Sequence, residues 1–146
     1  MYSHESIHRA ESYLSKKIIS GVHAISQGSG QKVSVGDFGA INDWGCAEDY
    51  VNAFQKILSH ECSGDYVVAT GEGHTVREFA QLVCDQFGLG LGDCVYQDPE
   101  LSLRKTGTRI GNYMKLHKDV GWSPSRPFNK MVATLVSDYV KASQLT

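Results

Sequence analysis

The sequence predicts an α/β or α+β fold in which a few short strands are covered by roughly four or five helices. The clearest strand signal is the run from Tyr66 to Ala69, whose strand-forming residues do not alternate with polar ones. Such a run is typical of a strand covered on both faces, as in a parallel sheet. Apolar residues at helical spacing in other segments indicate the helices. A chain of 146 residues has the size of one domain, so we expect residues 1–146 to form a single domain.

The first part of the chain predicts two helices with a strand between them. Apolar residues recur at helical spacing from Ala10 to Ile25, and the glycine-rich segment 28–30 then ends the helix. The segment from Lys32 to Gly36 alternates polar and apolar residues, which is typical of a half-buried strand. A second helix is predicted from about Cys46 to Ser59. Its wide apolar face consists of Ala47, Tyr50, Val51, Phe54, Ile57 and Leu58.

The third helix has a specific start signal. Thr75 and Glu78 form a Thr-x-x-Glu capping box, in which the Thr75 side chain satisfies a backbone amide at the helix start and Glu78 reaches back. The buried face of this helix is predicted to contain Val76, Phe79, Leu82, Val83 and Phe87.

The last third of the chain predicts one strand and two helices. Cys94–Tyr96 is the predicted last strand, and Met114–Val120 is a short helix that ends at Gly121. Pro127 opens the final helix, because proline is favoured at a first helical position. The apolar face of that helix contains Phe128, Met131, Val132, Leu135, Tyr139 and Val140. The loops expected to be most mobile are Leu89–Gly92 and Leu103–Gly111.

The composition argues against polyanions and membranes as partners. Hydrophobic content is 41%, charged content is 21% and the net charge is −2, so the chain has no field that would gather nucleic acid or anionic lipid. Its apolar runs fall far short of the roughly 20 residues that a membrane-spanning helix needs. Residues 1–5 carry no signal-peptide core. We therefore expect a cytoplasmic protein.

The cysteines predict free thiols rather than disulfides. Cys46, Cys62, Cys84 and Cys94 are widely spaced, with no Cys-x-x-Cys pair and no dense framework. His60 and Cys62 could in principle contribute to a zinc site, but two ligands do not complete a tetrahedral set. We therefore expect no metal.

Several separated motifs occur in one order along the chain. They are His4-Glu5-Ser6 with Arg9 and Glu11, Lys17-Ile18, Asp43-Trp44-Gly45 with Asp49-Tyr50-Val51, Ala69-Thr70-Gly71-Glu72 with Val76-Arg77-Glu78-Phe79, and Gly121-Trp122 before Pro124. In these motifs the chain resembles the C-terminal half of GDP-mannose 4,6-dehydratases, members of the extended short-chain dehydrogenase/reductase family of NAD-dependent epimerases and dehydratases. The match runs from Ser3 almost to the end of the chain. It implies the fold of a substrate-binding lobe with the last strand and helix units of that family.

The resemblance also implies a binding site. At the positions of His4 and Arg9, the family contacts its dinucleotide cofactor, which is NADP. Family arginines and a lysine contact the sugar nucleotide, and a guanidinium can bind a diphosphate through two parallel charge-assisted hydrogen bonds. The substrate-binding positions of this chain are then Lys17, Asn42, Arg104 and Arg109.

Three residues depart from the family pattern. Asn42 stands where the family has an arginine before Asp43, Ser3 replaces an asparagine, and Cys46 replaces a histidine. Losing one charge-assisted contact costs about 1.5–3 kcal/mol, so diphosphate affinity is expected to fall by about one to two powers of ten.

The catalytic residues of the family are not expected in this chain. The family oxidises the sugar, eliminates water and returns the hydride at a bound nicotinamide, with a Tyr-x-x-x-Lys pair and Thr and Glu partners that precede the position of Ser3. Before Asp43 the chain has no strand followed by Gly-x-Gly-x-x-Gly and a helix, which a dinucleotide site needs. We therefore expect no catalytic residues, no NADP bound by this chain alone, and a lobe that binds a GDP-sugar without turning it over.

Two hypotheses on function and partners stay open at this point. One is the nucleotide-sugar-binding lobe, catalytic only when another segment supplies the nucleotide-binding half. The other is a stand-alone interaction or ligand-binding module that has lost the chemistry, which the residues at positions 3, 42 and 46 favour. A lobe of this kind exposes apolar surface when it is alone, so a homo-oligomer or a complex with the missing half is expected.

Three further motifs have a structural and a functional interpretation. The first is Tyr13 with Lys17, which spells Tyr-x-x-x-Lys, but Tyr13 matches a packing position and is expected in the core. The second is His4-Glu5-Ser6-Ile7-His8, the His-Glu-x-x-His pattern of zinc peptidases, which lacks a third ligand here. The third is the turn at 71–74, where anion binding is less favoured than a tight turn because Thr75 already caps the helix. For Arg9 and Lys17, ligand contact and a solvated helix face are both open.

Overall fold

The computed structural model describes residues 1–61, 63–101 and 107–145 and shows an α/β fold. Across these residues, six short strands and six helices alternate irregularly along the chain. They are β1 (Ser3–Glu5), α1 (Leu14–Ser26), β2 (Val33–Val35), β3 (Ile41–Asn42), β4 (Trp44–Cys46), α2 (Ala47–Leu58), β5 (His74–Thr75), α3 (Val76–Gln86), α4 (Leu91–Cys94), β6 (Val95–Gln97), α5 (Met114–Val120) and α6 (Phe128–Ser143).

The strands pair two by two. β1 runs parallel to β4, with His4 opposite Gly45, and β2 runs parallel to β6. β3 runs antiparallel to β5, with Ile41 opposite Thr75. A single residue, Asp43, separates β3 from β4. The β1–β4 pair and the β3–β5 pair are therefore joined at this residue.

Among the described residues, buried apolar side chains form two clusters. The larger cluster joins α1, α3 and α6 with β2 and β6, and its members include Ile18, Val22, Val35, Phe79, Val83, Met131 and Val132. The smaller cluster holds α5 against α2 and consists of Tyr50, Ala53, Val68, Leu116 and Trp122. The predicted apolar face of α6 is largely confirmed, since Phe128, Met131, Val132 and Leu135 are all buried.

The local start and stop signals are confirmed. The hydroxyl of Thr75 accepts a hydrogen bond from the Glu78 backbone N–H at 3.1 Å, and the Glu78 carboxylate accepts one from the Thr75 backbone N–H at 2.7 Å. Gly121 ends α5 with φ +66°, a left-handed conformation that glycine adopts at little cost. The predicted strand at 32–36 and the second helix also form, as β2 and α2.

The strand predicted at Tyr66–Ala69 is wrong. These residues lie outside every strand, and Val67 is 41% exposed although the prediction has it covered on both faces. The backbone N–H of Tyr2 donates to the Val68 carbonyl oxygen at 2.9 Å, which joins this segment to the residues before β1. The apolar run is thus half buried, through Val68 and Ala69, rather than enclosed.

Helix bounds and small elements also differ from the prediction. α1 begins at Leu14 instead of Ala10, because residues 10–13 form a separate turn, in which the Tyr13 N–H donates to the Ala10 carbonyl oxygen at 3.0 Å. α4 forms one helical turn in a segment predicted partly as loop. The sequence does not predict β1, β3, β4 or β5, since strands of two or three residues are too short to show a hydrophobic period.

Only part of the predicted apolar face of α2 is covered. Tyr50 and Ile57 pack into the smaller cluster. Val51, Phe54 and Leu58 point outward and are 52%, 37% and 86% exposed. These three residues, spaced at helical intervals, form the α2 apolar stripe.

Within the described part of the chain, no helix combines the length and the apolar character needed to cross a membrane.

Candidate functional site

The candidate site is a cleft of about 390 Å³ between the N-terminal segment and the joint of β3 and β4. It is lined by Met1, Tyr2, Ser3, His4, Arg9, Asn42, Asp43 and Arg109. Four of the six predicted site residues meet here: His4, Arg9, Asn42 and Arg109. Parallel pairing of β1 with β4 places His4 opposite Gly45, three positions after Asn42. A β-bridge joins Asn42 to Arg109, and Arg9 reaches the His4 carbonyl oxygen.

The imidazole of His4 is held from two sides. Its Nδ1 lies 3.3 Å from the Tyr2 carbonyl oxygen. Its ring lies 6.1 Å from the ring of the buried Tyr50, in a tilted arrangement. The side chain is therefore oriented by the backbone of its own strand and by α2.

Arg9 is a cleft residue with a partner already in place. Its guanidinium forms an ion pair with the carboxylate of Glu5, which is 2% exposed, and donates a hydrogen bond of 3.1 Å to the His4 carbonyl oxygen. Ser15 donates to the other oxygen of the Glu5 carboxylate. The guanidinium also lies 4.0 Å from the centre of the Tyr13 ring, a cation–π contact. The charge of Arg9 is thus largely balanced by Glu5 before any ligand arrives.

The prediction that Tyr13 packs in the core is wrong. Its side chain is 50% exposed, and it lies under the Arg9 guanidinium. Tyr13 is the residue just before α1, where an extended backbone directs the side chain away from the helix packing face.

The guanidinium of Arg109, unlike that of Arg9, is exposed to solvent. Arg109 forms an isolated β-bridge with Asn42, so its backbone is fixed next to β3. Its side chain is exposed, and among the described residues its guanidinium makes no hydrogen bond or ion pair. Arg109 therefore presents an uncommitted positive charge at the rim of the cleft.

Lys17 lies apart from this group. The Nζ of Lys17 donates to the Ser34 carbonyl oxygen at 2.7 Å and lies 3.3 Å from the Ser34 hydroxyl, which ties α1 to β2 away from the cleft. Arg104 belongs to residues 102–106, outside the described residues.

The zinc-peptidase pattern does not form a metal site. His4 and Glu5 lie on a strand and His8 lies in a turn, whereas the motif requires a helix that presents both histidines on one face. The described residues contain no group of three or more His, Cys, Asp or Glu side chains that could hold a metal ion. The Glu5 carboxylate is moreover occupied by Arg9 and Ser15.

Three of the cysteines are confirmed as free thiols. Cys46, Cys84 and Cys94 are buried and unpaired, and Cys62 lies outside the described residues. The Sγ of Cys46 accepts a hydrogen bond of 3.2 Å from the Arg126 guanidinium, which also pairs with Glu48 at 2.8 Å. Burial, reinforced by the neighbouring Cys94, raises the pKa of the Cys84 thiol to about 12.

Asp43 is the cleft residue whose role sequence reasoning missed. Its carboxylate is fully buried and accepts hydrogen bonds from Thr70, Gly71 and Gly111. The sequence does contain a signal, namely an aspartate next to the apolar Trp44. A buried aspartate needs hydrogen-bond donors around its carboxylate. Those donors come from two distant loops, which no local pattern reveals.

The turn at 71–74 has the structure expected of a tight connection. Gly71 has φ +79°, and Thr75 caps the helix that follows. The His74 ring stacks on Phe128 with ring centres 3.8 Å apart, between the carboxylates of Glu72 and Glu78. Two carboxylates beside the helix start make this turn unfavourable for a phosphate.

Comparison with known proteins identifies the family. The family model described as GDP-mannose 4,6 dehydratase matches residues 1–135. GDP-mannose 4,6 dehydratase 2 of Arabidopsis thaliana is 35% identical over 139 residues, which cover 94% of this chain and 37% of that protein.

Solved structures show the same fold. RMD from Pseudomonas aeruginosa, solved with NADPH, superimposes with a TM-score of 0.84 at 24% identity and covers 96% of this chain and 46% of that one. MoeE5, solved with UDP-glucuronic acid and NAD, superimposes with a TM-score of 0.78 at 17% identity and covers 97% of this chain and 46% of that one. The chain thus spans less than half the length of the proteins it matches. Because the family model covers most of its residues, this chain belongs to the GDP-mannose 4,6-dehydratase family.

Proposed function

We propose that this chain is the nucleotide-sugar-binding lobe of a GDP-mannose 4,6-dehydratase-type protein and that it is not catalytic alone. The observation that carries the proposal is the cleft in which His4, Arg9, Asn42 and Arg109 meet. Membership of the family and the UDP-glucuronic acid held by MoeE5 support a nucleotide sugar as the ligand.

Arg109 is the residue best suited to the ligand's diphosphate. Its exposed guanidinium has no competing carboxylate within the described ranges, and a guanidinium can bind phosphate oxygens through parallel hydrogen bonds. Asn42, next to it, offers an amide but no charge. We expect a modest affinity for GDP, because Asn42 supplies no cation at one of the proposed substrate-binding positions.

Lys17 and Arg104 take secondary roles in this proposal. Lys17 would have to leave the Ser34 carbonyl oxygen before it could reach a ligand, so we assign it a weaker contribution than Arg109. Arg104 precedes Arg109 by five positions in the sequence, and we propose it as a secondary contact for the diphosphate.

The residues present do not fit a complete dinucleotide site. A cleft of about 390 Å³ lies near the lower end of the roughly 300–1,000 Å³ range of ligand pockets. The turn at 71–75 leads from a glycine pair into a capped helix. The first amides of that helix are satisfied by the Ala40 and Phe38 carbonyl oxygens and by the Thr75 hydroxyl, and the turn carries acidic neighbours. His4 and Arg9 can line one wall of a cofactor site, and we propose that this chain alone binds no NADP.

We further propose that the nucleotide-binding half of a family chain covers the α2 apolar stripe. The Arabidopsis relative contains much more polypeptide than the 37% that this chain matches, so a family chain carries a further segment that can cover a face of this lobe. Val51, Phe54 and Leu58 form an exposed apolar face on one helix, which is typical of an interface. Light scattering of the chain mixed with the N-terminal part of the Arabidopsis relative tests this. We expect a complex, and we expect the double variant Phe54→Ser with Leu58→Ser to abolish it. A homodimer of the chain alone would contradict the proposal that the nucleotide-binding half covers the stripe.

Calorimetry tests the binding function. We expect heat with GDP and GDP-mannose, little with NADP alone, and a loss of about tenfold or more in GDP affinity for Arg109→Ala. Arg77→Ala is the matched control, because Arg77 lies over the Phe38 ring at 4.5 Å and does not line the cleft. Absence of heat with GDP and GDP-mannose at millimolar concentration would reject the proposal.

A second candidate is a stand-alone interaction or ligand-binding module that keeps the fold without the chemistry. Cys46 favours this module. Its thiol accepts a hydrogen bond from Arg126 and lines a different cavity from the cleft, so it is not available to a ligand in the cleft. Dehydratase turnover by the purified chain with added NADP would refute both the module and the non-catalytic lobe.

A further inference from the structure

Asp43 joins three parts of the chain through one buried carboxylate. Its side chain is 0% exposed and lies at the joint of β3 and β4. Oδ1 accepts hydrogen bonds from the backbone N–H of Thr70 at 2.9 Å and from its hydroxyl at 2.6 Å. Oδ2 accepts from the backbone N–H groups of Gly71 at 2.9 Å and Gly111 at 3.1 Å. Four donors satisfy the carboxylate, which explains how a buried acid is tolerated here.

The same residue fixes the backbone around Arg109. The Asp43 N–H donates to the Arg109 carbonyl oxygen at 3.0 Å, and the Arg109 N–H donates to the Ile41 carbonyl oxygen at 3.3 Å. Two residues further on, Gly111 donates to the Asp43 carboxylate. The Tyr2 hydroxyl also donates to the Ile110 carbonyl oxygen at 3.4 Å. Among the described residues, segment 109–111 is therefore held by four hydrogen bonds, and two of them involve Asp43.

Glycine at two positions allows this close approach. A Cβ atom on Gly111 would lie 2.2 Å from the Cβ of Ala69, a separation that real atoms do not adopt. Gly71 has φ +79°, which disfavours any residue with a side chain. The backbone amides of both glycines thereby reach a carboxylate that larger residues would keep at a distance.

We infer that Asp43 is the positioning residue that holds Arg109 at the rim of the cleft. This inference rests on the proposed function, in which Arg109 contacts the diphosphate. Because the Arg109 side chain has no partner of its own among the described residues, its location is set by its backbone. A guanidinium whose anchor is fixed loses less conformational entropy on binding a phosphate than one on a loose segment. Asp43 acts through Arg109 and touches no ligand itself.

The test is a double-mutant cycle on GDP affinity. Asp43→Asn keeps the shape of the side chain but replaces one acceptor with an NH₂ group, which cannot accept from Gly71 and Gly111. We expect Asp43→Asn and Arg109→Ala each to weaken GDP binding about tenfold to hundredfold, and the double variant to bind no more weakly than Arg109→Ala. Asp49→Asn is the matched control, because Asp49 also accepts hydrogen bonds from a distant loop but lies outside the cleft. Additive losses, or a folded Asp43→Asn with wild-type GDP affinity, would overturn the inference.

A measurement without ligand separates the role of Asp43 from the proposed binding function. In the wild type, amide hydrogen exchange at Gly71 and Gly111 is expected to be slow compared with the exposed Gly107, and Asp43→Asn is expected to accelerate exchange at 70–71 and 109–111. Equal exchange at Gly111 and Gly107 in the wild type would overturn the inference even if Asp43→Asn fails to fold. Absent GDP binding together with slow Gly111 exchange would reject the proposed function while leaving Asp43 as the residue that fixes segment 109–111.

Discussion

The hydroxyl of Ser125 donates a hydrogen bond of 2.6 Å to the carboxylate of Asp49, 76 positions earlier in the chain. The other carboxylate oxygen accepts the backbone N–H groups of Ser125 and Arg126, and the Asp49 carbonyl oxygen accepts the Trp122 indole N–H at 3.1 Å. The first turn of α2 is thus fastened to the segment that leads into α6. This connection joins the two apolar clusters.

Removing that connection is expected to destabilise the fold. Asp49→Asn loses one acceptor for the amides at 125 and 126, so we expect the free energy of unfolding to fall by about 1–2 kcal/mol. Urea denaturation followed by circular dichroism measures it. Asp119→Asn is the control, because Asp119 is an exposed residue of α5 without a hydrogen bond or ion pair among the described residues. Equal stability of the two variants would contradict the role of Asp49.

The capping box at α3 gives a second prediction. Thr75→Ala removes the acceptor for the Glu78 amide, and the loss of an N-cap costs about 1 kcal/mol. Thr75→Ser keeps the hydroxyl and should retain most of the stability. Thermal unfolding of both variants measures the difference, and an equal fall in both would show that the Thr75 methyl group, rather than its hydroxyl, is responsible.

Local signals of this kind were predictable from the sequence, and distant ones were not. The box at Thr75 and the stop at Gly121 depend on residues a few positions apart. The partners of Asp43 are 27, 28 and 68 positions away, so its role required the folded chain. The prediction that the Val67 side chain is buried failed for the same reason. Val67 has the sequence of a buried strand residue, yet what covers a side chain depends on the rest of the fold.

Alkaline pH is expected to destabilise the protein through Cys84. Burial raises the pKa of this thiol from 9.0 to about 12, so the folded state keeps the proton while the unfolded chain loses it. The contribution of Cys84 to stability is therefore constant below pH 9 and falls as the pH rises from 9 to 12, by at most about 1.4 kcal/mol per pH unit. Denaturation at pH 8, 10 and 11 measures the slope. Cys84→Ala should flatten it, and parallel curves for the two proteins would contradict this assignment.

Removing the Tyr50 hydroxyl, unlike the substitutions above, is not expected to lower the stability of the fold. The Tyr50 ring is buried against Trp122, but its hydroxyl has no hydrogen-bond partner in the described part of the chain. Burial, with Asp43, Asp49 and Glu5 nearby, raises the pKa of this phenol and keeps it neutral. Because an unsatisfied buried hydroxyl costs about 1–3 kcal/mol, Tyr50→Phe should leave stability unchanged or raise it. Tyr50→Ala should lower it by about 3–5 kcal/mol through the cavity it leaves. Urea denaturation distinguishes the two, and a loss above about 1 kcal/mol for Tyr50→Phe would reveal a partner for the hydroxyl.

The two arginines of the cleft are expected to separate stability from binding. Arg9→Ala leaves the carboxylate of Glu5, which is 2% exposed, with the Ser15 hydroxyl as its remaining side-chain partner among the described residues. Because a buried charge without its counterion is costly, the free energy of unfolding should fall by about 2–4 kcal/mol. Arg109→Ala should change it by less than about 0.5 kcal/mol, since its side chain is exposed. Adding Glu5→Gln to Arg9→Ala removes the unpaired charge and should restore part of the loss. Urea denaturation of all four proteins, including the wild type, measures these effects. An equal loss for both single arginine variants, or no recovery with Glu5→Gln, would show that the ion pair between Arg9 and Glu5 does not stabilise the folded cleft.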